Sequence, residues 1–100
     1  AQQIDLYLVA VGDVAGHGMR LAEELRSGLP NIRIETHCGG GSFKSQMKKA
    51  DKSGAAIAII LGEDELASET VQVKFLRQER DQETVDQANI VEFLNVNFEY

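Results

Sequence analysis

The chain has 100 residues, enough for one domain with one hydrophobic core. Its composition, 43% hydrophobic and 26% charged, is ordinary for a soluble globular protein, and its net charge of −6 argues against nonspecific coating of nucleic acid. The longest apolar run, Ala55 to Leu61, is far shorter than the roughly 20 residues that cross a bilayer. Cys38 has no second cysteine to pair with, which favours a reducing, cytoplasmic setting.

The N-terminal third predicts a strand followed by a helix. Residues 5–11 are apolar nearly throughout and end at Gly12, which is typical of a strand buried on both faces. Asp13 is then the expected N-cap of a helix whose apolar residues recur at a spacing near 3.6. Gly28, with Pro30 just beyond it, is expected to end this helix.

The middle third repeats the alternation. Residues 31–36 alternate apolar and polar side chains, as in a strand with one wet face, and residues 55–61 predict a third strand, buried on both faces. Between them Ser42 is the predicted N-cap of a second helix. The apolar stripe of that helix consists of Phe43, Met47 and Ala50. Strand, helix, strand, helix, strand with right-handed crossovers predicts a parallel three-stranded core.

The C-terminal third predicts a hairpin and a last helix. Residues 63–67 are expected to form a turn or a single helical turn. Residues 70–76 alternate like a strand, and the short connection to residues 82–85 predicts an antiparallel hairpin. Asp86 is the expected cap of a helix that carries Ile90, Val91, Phe93 and Leu94. The predicted fold is therefore α/β, with a mixed five-stranded sheet (a parallel βαβαβ core plus an antiparallel hairpin) and three flanking helices.

Positive charge is concentrated on the second predicted helix. Residues 42–53 have a net charge of +3, so the remainder of the chain sums to −9. Lys44, Lys48 and Lys52 are four residues apart and share one helix face, where like charges repel. An anion lying across this face would relieve the repulsion, and a solvated helix surface is the equally open alternative.

No segment predicts a catalytic or metal site. Residues 12–18 resemble a metal-binding segment of metal-dependent protein phosphatases, but Asp13 lacks partner carboxylates, so a strand-to-helix turn is favoured. The glycines at 39–41 lead into a helix start without the Lys-Ser/Thr of a nucleotide-binding loop, which favours a tight turn. His37 and Cys38, being adjacent strand residues, point to opposite faces and are poorly placed as base and nucleophile.

Six segments, however, stand in an order that a known family shares. They are residues 5–9 (DLYLV), 21–26 (LAEELR), 40–46 (GGSFKSQ), 50–55 (ADKSGA), 60–67 (ILGEDELA) and 70–74 (TVQVK). Together they resemble the C-terminal anticodon-binding domain of bacterial histidyl-tRNA synthetases. The resemblance covers nearly the whole chain, is most specific over residues 50–66, and is weaker to the related prolyl, threonyl and glycyl enzymes.

The resemblance implies that residues 1–100 are one anticodon-binding domain, a piece of a longer synthetase whose catalytic domain is absent. The family enzyme is a class II homodimer that activates histidine with ATP and transfers it to its tRNA. This segment would hold the tRNA anticodon loop as a monomer, with no catalytic residue, metal or cofactor of its own, since ATP and Mg²⁺ belong to the catalytic domain. Neither DNA nor a membrane is an expected partner.

The resemblance also implies where RNA is held, along a rim of strand ends and helix starts. The expected contact residues are Gly12, Gly40, Gly41, Lys44, Gln46, Lys48, Asp51, Lys52, Glu63, Glu65 and Lys74. Lys44 and Lys48 would meet phosphates, and either Glu63 or Glu65 would accept hydrogen bonds from a guanine.

Two positions depart from the family pattern. Ser68-Glu69 replaces a common Asn-Gly before the fourth strand, which is expected to alter that turn. Phe75 stands where an Asp is frequent, and would either stack on a base or pack against the last helix.

Two other functions stay open from the sequence. One is a non-catalytic synthetase paralogue or regulator that keeps the fold, and the other is a small flavodoxin-like or phosphatase-like domain that binds phosphate or a metal. Because the first residue is not Met, we expect a piece of a longer protein, with a processed mature chain as the alternative.

Overall fold

A five-stranded mixed sheet organises the computed structural model, which describes residues 4–37 and 41–98. The elements in chain order are β1 (Leu6–Ala10), α1 (Ala15–Gly28), β2 (Ile34–His37), α2 (Phe43–Lys52), β3 (Ile57–Leu61), α3 (Glu63–Ser68), β4 (Thr70–Phe75), β5 (Glu83–Asp86), a 3-10 helix (Gln87–Asn89) and α4 (Ile90–Asn97). The strand order is β2-β1-β3-β4-β5.

The pairing confirms the predicted topology. β1 runs parallel to both β2 and β3, and β4 is antiparallel to β3 and to β5. The prediction of three helices is incomplete, because the segment after β3 forms a short helix of its own, α3, within the described residues.

The two faces of the sheet are covered unequally. Side chains alternate between the faces along each strand. One face packs under α1 and α4 in a core that includes Leu8 of β1, Ile59 of β3 and Val73 of β4. The other face holds a smaller cluster, with Tyr7 and Val9 of β1 and Ala58 and Ile60 of β3 packed against Ala50 of α2. The remaining side chains of β4 on that face, at positions 70, 72 and 74, are partly or fully exposed.

Two of the predicted helix caps are wrong. Val14, not Asp13, precedes α1, and no side-chain hydrogen bond caps this helix. Asp86 precedes the 3-10 helix without a side-chain cap bond, and α4 itself starts at Ile90. The cap at Ser42 is confirmed, because its Oγ accepts a hydrogen bond from the Ser45 amide at 3.1 Å.

Gly28 ends α1 as predicted, and the structure adds a packing reason for glycine there. A Cβ at this position would lie 2.7 Å from Cγ1 of Val91 on α4. The two helices thus approach each other where one of them carries no side chain.

Phe75 packs inward, which settles the choice left open by the sequence. Its side chain is buried, and its ring centroid lies 6.5 Å from that of Phe93 on α4. The Arg80 guanidinium stands 4.1 Å from the Phe75 ring centroid and also bonds Asn97 and Glu83. This cluster joins the β4–β5 connection to α4.

The turn before β4 contains a residue in the left-handed backbone conformation although no glycine is present. Glu69 closes α3 with φ 57° and ψ 40°, the one positive φ outside glycine in the described segments. Its carbonyl accepts a hydrogen bond from the Gln87 amide at 2.9 Å. An L-residue in this region is strained by roughly 1–2 kcal/mol.

Candidate nucleic-acid interface

Gln46 is buried on the inner face of α2, where the sequence predicted Phe43 as part of the apolar stripe. It is 0% exposed. Its Nε2 donates to the carbonyl oxygens of Ala10, at 2.7 Å, and Gly41, at 3.2 Å, and its Oε1 accepts from the Ala10 amide at 3.2 Å. The side chain thus fixes the start of α2 to the end of β1, and the contact of Gln46 with RNA stays a prediction.

Phe43 is correspondingly turned outward. Its side chain is 46% exposed, although the periodicity predicted it in the apolar stripe. It lines two adjacent surface grooves, so an accessible aromatic ring lies where they meet.

The first groove, which we call the lysine groove, lies between α2 and the end of β4. Its volume is about 590 Å³, and its lining consists of Phe43, Lys44, Met47, Lys48, Asp51, Lys74, Phe75 and Leu76. The structure thus brings Lys74 of β4 to the same place as Lys44 and Lys48 of α2, as predicted for one rim. Lys52 is exposed on α2 but does not line this groove.

The lysines of this region are not neutralised by neighbouring acids. All five lysines of the sequence lie on α2 or β4. Across residues 4–37 and 41–98, the recorded ion pairs all involve arginine. The lysine groove therefore offers unpaired positive charge at the surface of an acidic protein.

Asp51 is the one acid in the lysine groove, and an arginine partly compensates it. Arg77 Nη1 donates to Asp51 Oδ1 at 3.1 Å, and its Nη2 donates to the Asp51 carbonyl oxygen at 2.7 Å. The arginine thus also binds the C-terminal turn of α2, where carbonyls lack helical partners. Asp51 consequently does little to cancel the charge of the lysines.

The second groove, which we call the strand-end groove, lies past the carboxyl ends of β1 and β3. Its volume is about 430 Å³, and its lining consists of Val11, Gly12, Phe43, Ile60, Gly62, Glu63, Asp64, Glu65, Gln72 and Gln82. The carboxyl ends of parallel strands are where open α/β sheets commonly hold ligands. Of the predicted contact residues, Gly12, Glu63 and Glu65 line this groove.

The structure separates the roles of the two candidate glutamates. Glu65 Oε1 accepts a hydrogen bond from the Gly62 amide at 3.0 Å, and so stabilises the start of α3. Glu63 is exposed and lies against Gly12, where a Cβ would be 2.9 Å from Glu63 Oε2. Of the two, Glu63 is thus the carboxylate that is exposed in the strand-end groove, with Gly12 making room for it.

The glycines of the predicted site are only partly described. Gly12 and Gly41 have φ values of 87° and 102°, which favour glycine at both turns. Gly41 also accepts the Gln46 hydrogen bond noted above. Gly40, along with Cys38, lies outside the described residues.

A polar cluster on β4 and β5 was missed from the sequence. Gln72 Oε1 accepts hydrogen bonds from Thr84 Oγ1 at 3.0 Å and from Gln82 Nε2 at 3.3 Å. The alternation of β4 did place Thr70, Gln72 and Lys74 on one face, so the signal was present. What the sequence did not reveal was that α2 stops short of β4 and leaves this face open.

Two further features concern the described parts of the chain. No group of three or more His, Cys, Asp or Glu side chains there is arranged to hold a metal ion. No helix among these residues has the length and apolar character that crossing a membrane requires.

Comparisons with known proteins identify relatives of the whole domain. A family model described as an anticodon binding domain matches residues 5–97. The histidine–tRNA ligase of Hydrogenovibrio crunogenus is 50% identical over 91 residues, which are 90% of this chain and 21% of that protein. This chain thus spans about a fifth of the length of that curated relative.

Solved structures agree on the fold. The apo histidyl-tRNA synthetase of S. aureus matches with a TM-score of 0.77 and 30% identity, over 91% of this chain and 23% of that chain. The histidyl-tRNA synthetase of Nostoc sp. PCC 7120 has a TM-score of 0.84 at 23% identity, over 96% and 23%. The RNA-binding domain of the Cryptosporidium parvum threonyl-tRNA synthetase has a TM-score of 0.83 at 8% identity, over 93% and 23%. The last two likenesses show the fold alone.

Proposed function

Because the chain belongs to the family of anticodon-binding domains, we propose that it binds the anticodon loop of a tRNA, and that this tRNA is the one for histidine. The observation that carries the proposal is the meeting of the lysine groove and the strand-end groove at Phe43. The 50% identity to a histidine–tRNA ligase supports the choice of tRNA.

The lysine groove supplies the electrostatic part of binding. Lys44, Lys48 and Lys74 carry unpaired charge around one depression, and Lys52 extends the same helix face. Phosphates of a single-stranded loop passing over them would release counterions, which gives affinity that falls as salt rises. The Arg77 contact to Asp51 partly offsets the charge of the acid that lines this groove.

The strand-end groove supplies the base-reading part. Anticodon bases are unpaired, so their Watson–Crick edges are accessible once the bases are splayed out. In our proposal Glu63 presents acceptors to such a base while Phe43 offers a ring to stack on. Gly12, Gly41 and Gln46 shape the turns around the groove.

For the whole protein we propose histidine–tRNA ligase activity in the cytoplasm. This domain would add tRNA affinity, while the catalytic residues, the ATP and Mg²⁺ sites and the dimer contacts would belong to other parts of the chain. We propose no cofactor for the domain itself, and no DNA or membrane partner.

The alternatives from the sequence receive no specific support. A non-catalytic paralogue of the synthetase would share both grooves, and intact class II motifs elsewhere in the gene would decide against it. A flavodoxin-like phosphate site would show as amide NMR shifts when Mg²⁺ and a nucleotide are added.

The test of the proposal is binding of a fluorescent histidine-tRNA anticodon stem-loop, followed by anisotropy at salt below about 100 mM. Lys44→Ala with Lys48→Ala should weaken binding and reduce the salt slope by about 1 to 1.5. The matched control is Arg20→Ala with Lys49→Ala, which removes the same charge from exposed positions outside both grooves. Equal affinity of the first pair and the wild type would overturn the proposal, as would an equal loss in the control.

A further inference from the structure

The open face of β4 and β5 adds a hydrogen-bond donor to the strand-end groove. Gln72 lies on that face and lines the groove together with Glu63 and Phe43.

The Gln72 amide is hydrogen-bonded through its oxygen. Its Oε1 accepts two hydrogen bonds, from Thr84 Oγ1 and Gln82 Nε2, which use both of its lone pairs. Within the residues that the structure describes, no protein acceptor is recorded for its Nε2. The amide therefore carries two unused donors at a fixed place on the groove wall.

The groove thus combines a donor and an acceptor of different kinds. Glu63 contributes two carboxylate oxygens that only accept, and Gln72 contributes an amide nitrogen that only donates. The Watson–Crick edge of guanine presents O6 as an acceptor beside the N1–H and N2–H donors. Adenine presents a donor where guanine has O6 and an acceptor where guanine has N1–H, so it mismatches both groups.

We propose that Gln72 is a base-discriminating residue, whose amide donates to O6 of an unpaired guanine while Glu63 accepts from N1–H and N2–H and Phe43 stacks on the ring. This inference rests on the proposed function, since it takes the strand-end groove to hold a base of the loop. It adds the identity of the base and the residue that selects it.

Gln72→Glu tests the donor with little change of shape. A carboxylate keeps an oxygen to accept the Thr84 and Gln82 hydrogen bonds and replaces only the NH₂ group. The probes are histidine-tRNA anticodon stem-loops in which each loop guanine is replaced in turn by inosine, which lacks the N2 amino group, or by adenine. Gln78→Leu is the control variant, because Gln78 is exposed and lines neither groove.

We expect the wild type to prefer guanine over adenine at one loop position by at least about tenfold, with inosine between them. Gln72→Glu should remove that preference at the same position, while Gln78→Leu keeps it. Thr84→Val, which frees the Gln72 carbonyl, should weaken the preference without abolishing binding.

Two outcomes separate the failure of this inference from that of the proposed function. If the stem-loops bind but Gln72→Glu leaves the guanine preference unchanged, or lowers affinity for all probes equally, Gln72 does not select the base and the anticodon proposal stands. If the wild type binds none of the stem-loops, the anticodon proposal fails and this inference fails with it. Melting curves followed by circular dichroism establish that each variant is folded.

Discussion

The side chain of Gln46 bonds both backbone polar groups of Ala10, giving a donor to its carbonyl at 2.7 Å and an acceptor to its amide at 3.2 Å. A third bond, from Nε2 to the Gly41 carbonyl, extends the contact to the turn before α2. One buried amide therefore holds together the end of β1, the start of α2 and the Gly41 turn, two residues before Phe43, which lines both grooves.

Gln46→Leu should lower the free energy of unfolding by about 2–5 kcal/mol, because it leaves buried backbone groups of Ala10 without partners. Urea unfolding measures the change, and Gln78→Leu at an exposed site should cost under about 0.5 kcal/mol. If Gln46 positions the grooves, the folded variant should also bind the stem-loop more weakly. A stability near that of the wild type would contradict the proposed clamp.

Gly12→Ala should displace Glu63, because the new Cβ would lie 2.9 Å from Glu63 Oε2 on a backbone with φ 87°. We expect a loss of roughly 1–2 kcal/mol in stability and a smaller preference for guanine at the selected loop position. Gly16→Ala is the control, since a Cβ there meets nothing within 4 Å. A Gly12→Ala variant with unchanged base preference would argue against a role for Glu63 in reading the base.

Glu69→Gly should stabilise the domain by about 0.5–1 kcal/mol, since glycine adopts a φ of 57° without the steric cost borne by Glu69. Thermal or urea unfolding of the two proteins measures the difference. Glu69→Val should instead destabilise, because a β-branched side chain fits this region worst. The idea of strain at this turn is wrong if glycine and valine have the same effect.

Gly28→Ala should destabilise by about 1–3 kcal/mol through its clash with Val91, although alanine is the better helix former. Val91→Ala removes the atoms that the new Cβ would meet. In a double-mutant cycle the two changes should therefore cost less together than the sum of their separate costs. Strict additivity would show that α1 and α4 do not meet at this point in solution.

Tyr7 gives the domain a predictable loss of stability in alkali. Burial raises the pKa of Tyr7 above 10.0, and the charge of Glu35, its register partner on β2, raises the pKa further. The folded state thus favours the neutral phenol. The stability that Tyr7 contributes is therefore complete below pH 10 and is lost as the pH rises through the folded-state pKa of Tyr7.

Tyr7→Phe removes the titrating group and should flatten the stability profile above pH 10. Chemical unfolding between pH 8 and pH 11 makes the comparison, and the difference between the variants cancels the titration of the lysines. Parallel profiles for the two proteins would contradict a perturbed Tyr7. The variant should match the pH dependence of the wild type below pH 9.

The strands of the core were predictable because burial on both faces alone explains their apolar sequence patterns. β1 and β3 are buried on both faces, so nearly every residue is apolar, and the crossover rule then fixes their parallel pairing. The family could also be named from short motifs. The orientation of α2 was not predictable, because its interior position is filled by a polar residue, Gln46, whose partner Ala10 lies 36 positions away in sequence.

The candidate site, like the fold, was only partly predictable from the sequence. The lysines of α2 could be placed on one face from spacing alone, but their meeting with Lys74 depends on how the hairpin packs. Glu63 and Glu65 are equivalent in the sequence. The structure distinguishes them, because Glu65 accepts a hydrogen bond from the Gly62 amide. Gln72 became a candidate once the structure showed an uncovered sheet face beside the groove.

All five lysines lie on α2 or β4, whereas the five arginines lie elsewhere, so these two elements carry a local concentration of lysine charge. A polyanion is attracted to this local charge while the net charge of the protein repels it, which favours encounters oriented toward α2 and β4. Such steering raises the association rate at low ionic strength and disfavours unproductive adhesion elsewhere. A protein of net charge −6 can in this way capture RNA quickly while remaining a poor binder of polyanions in general.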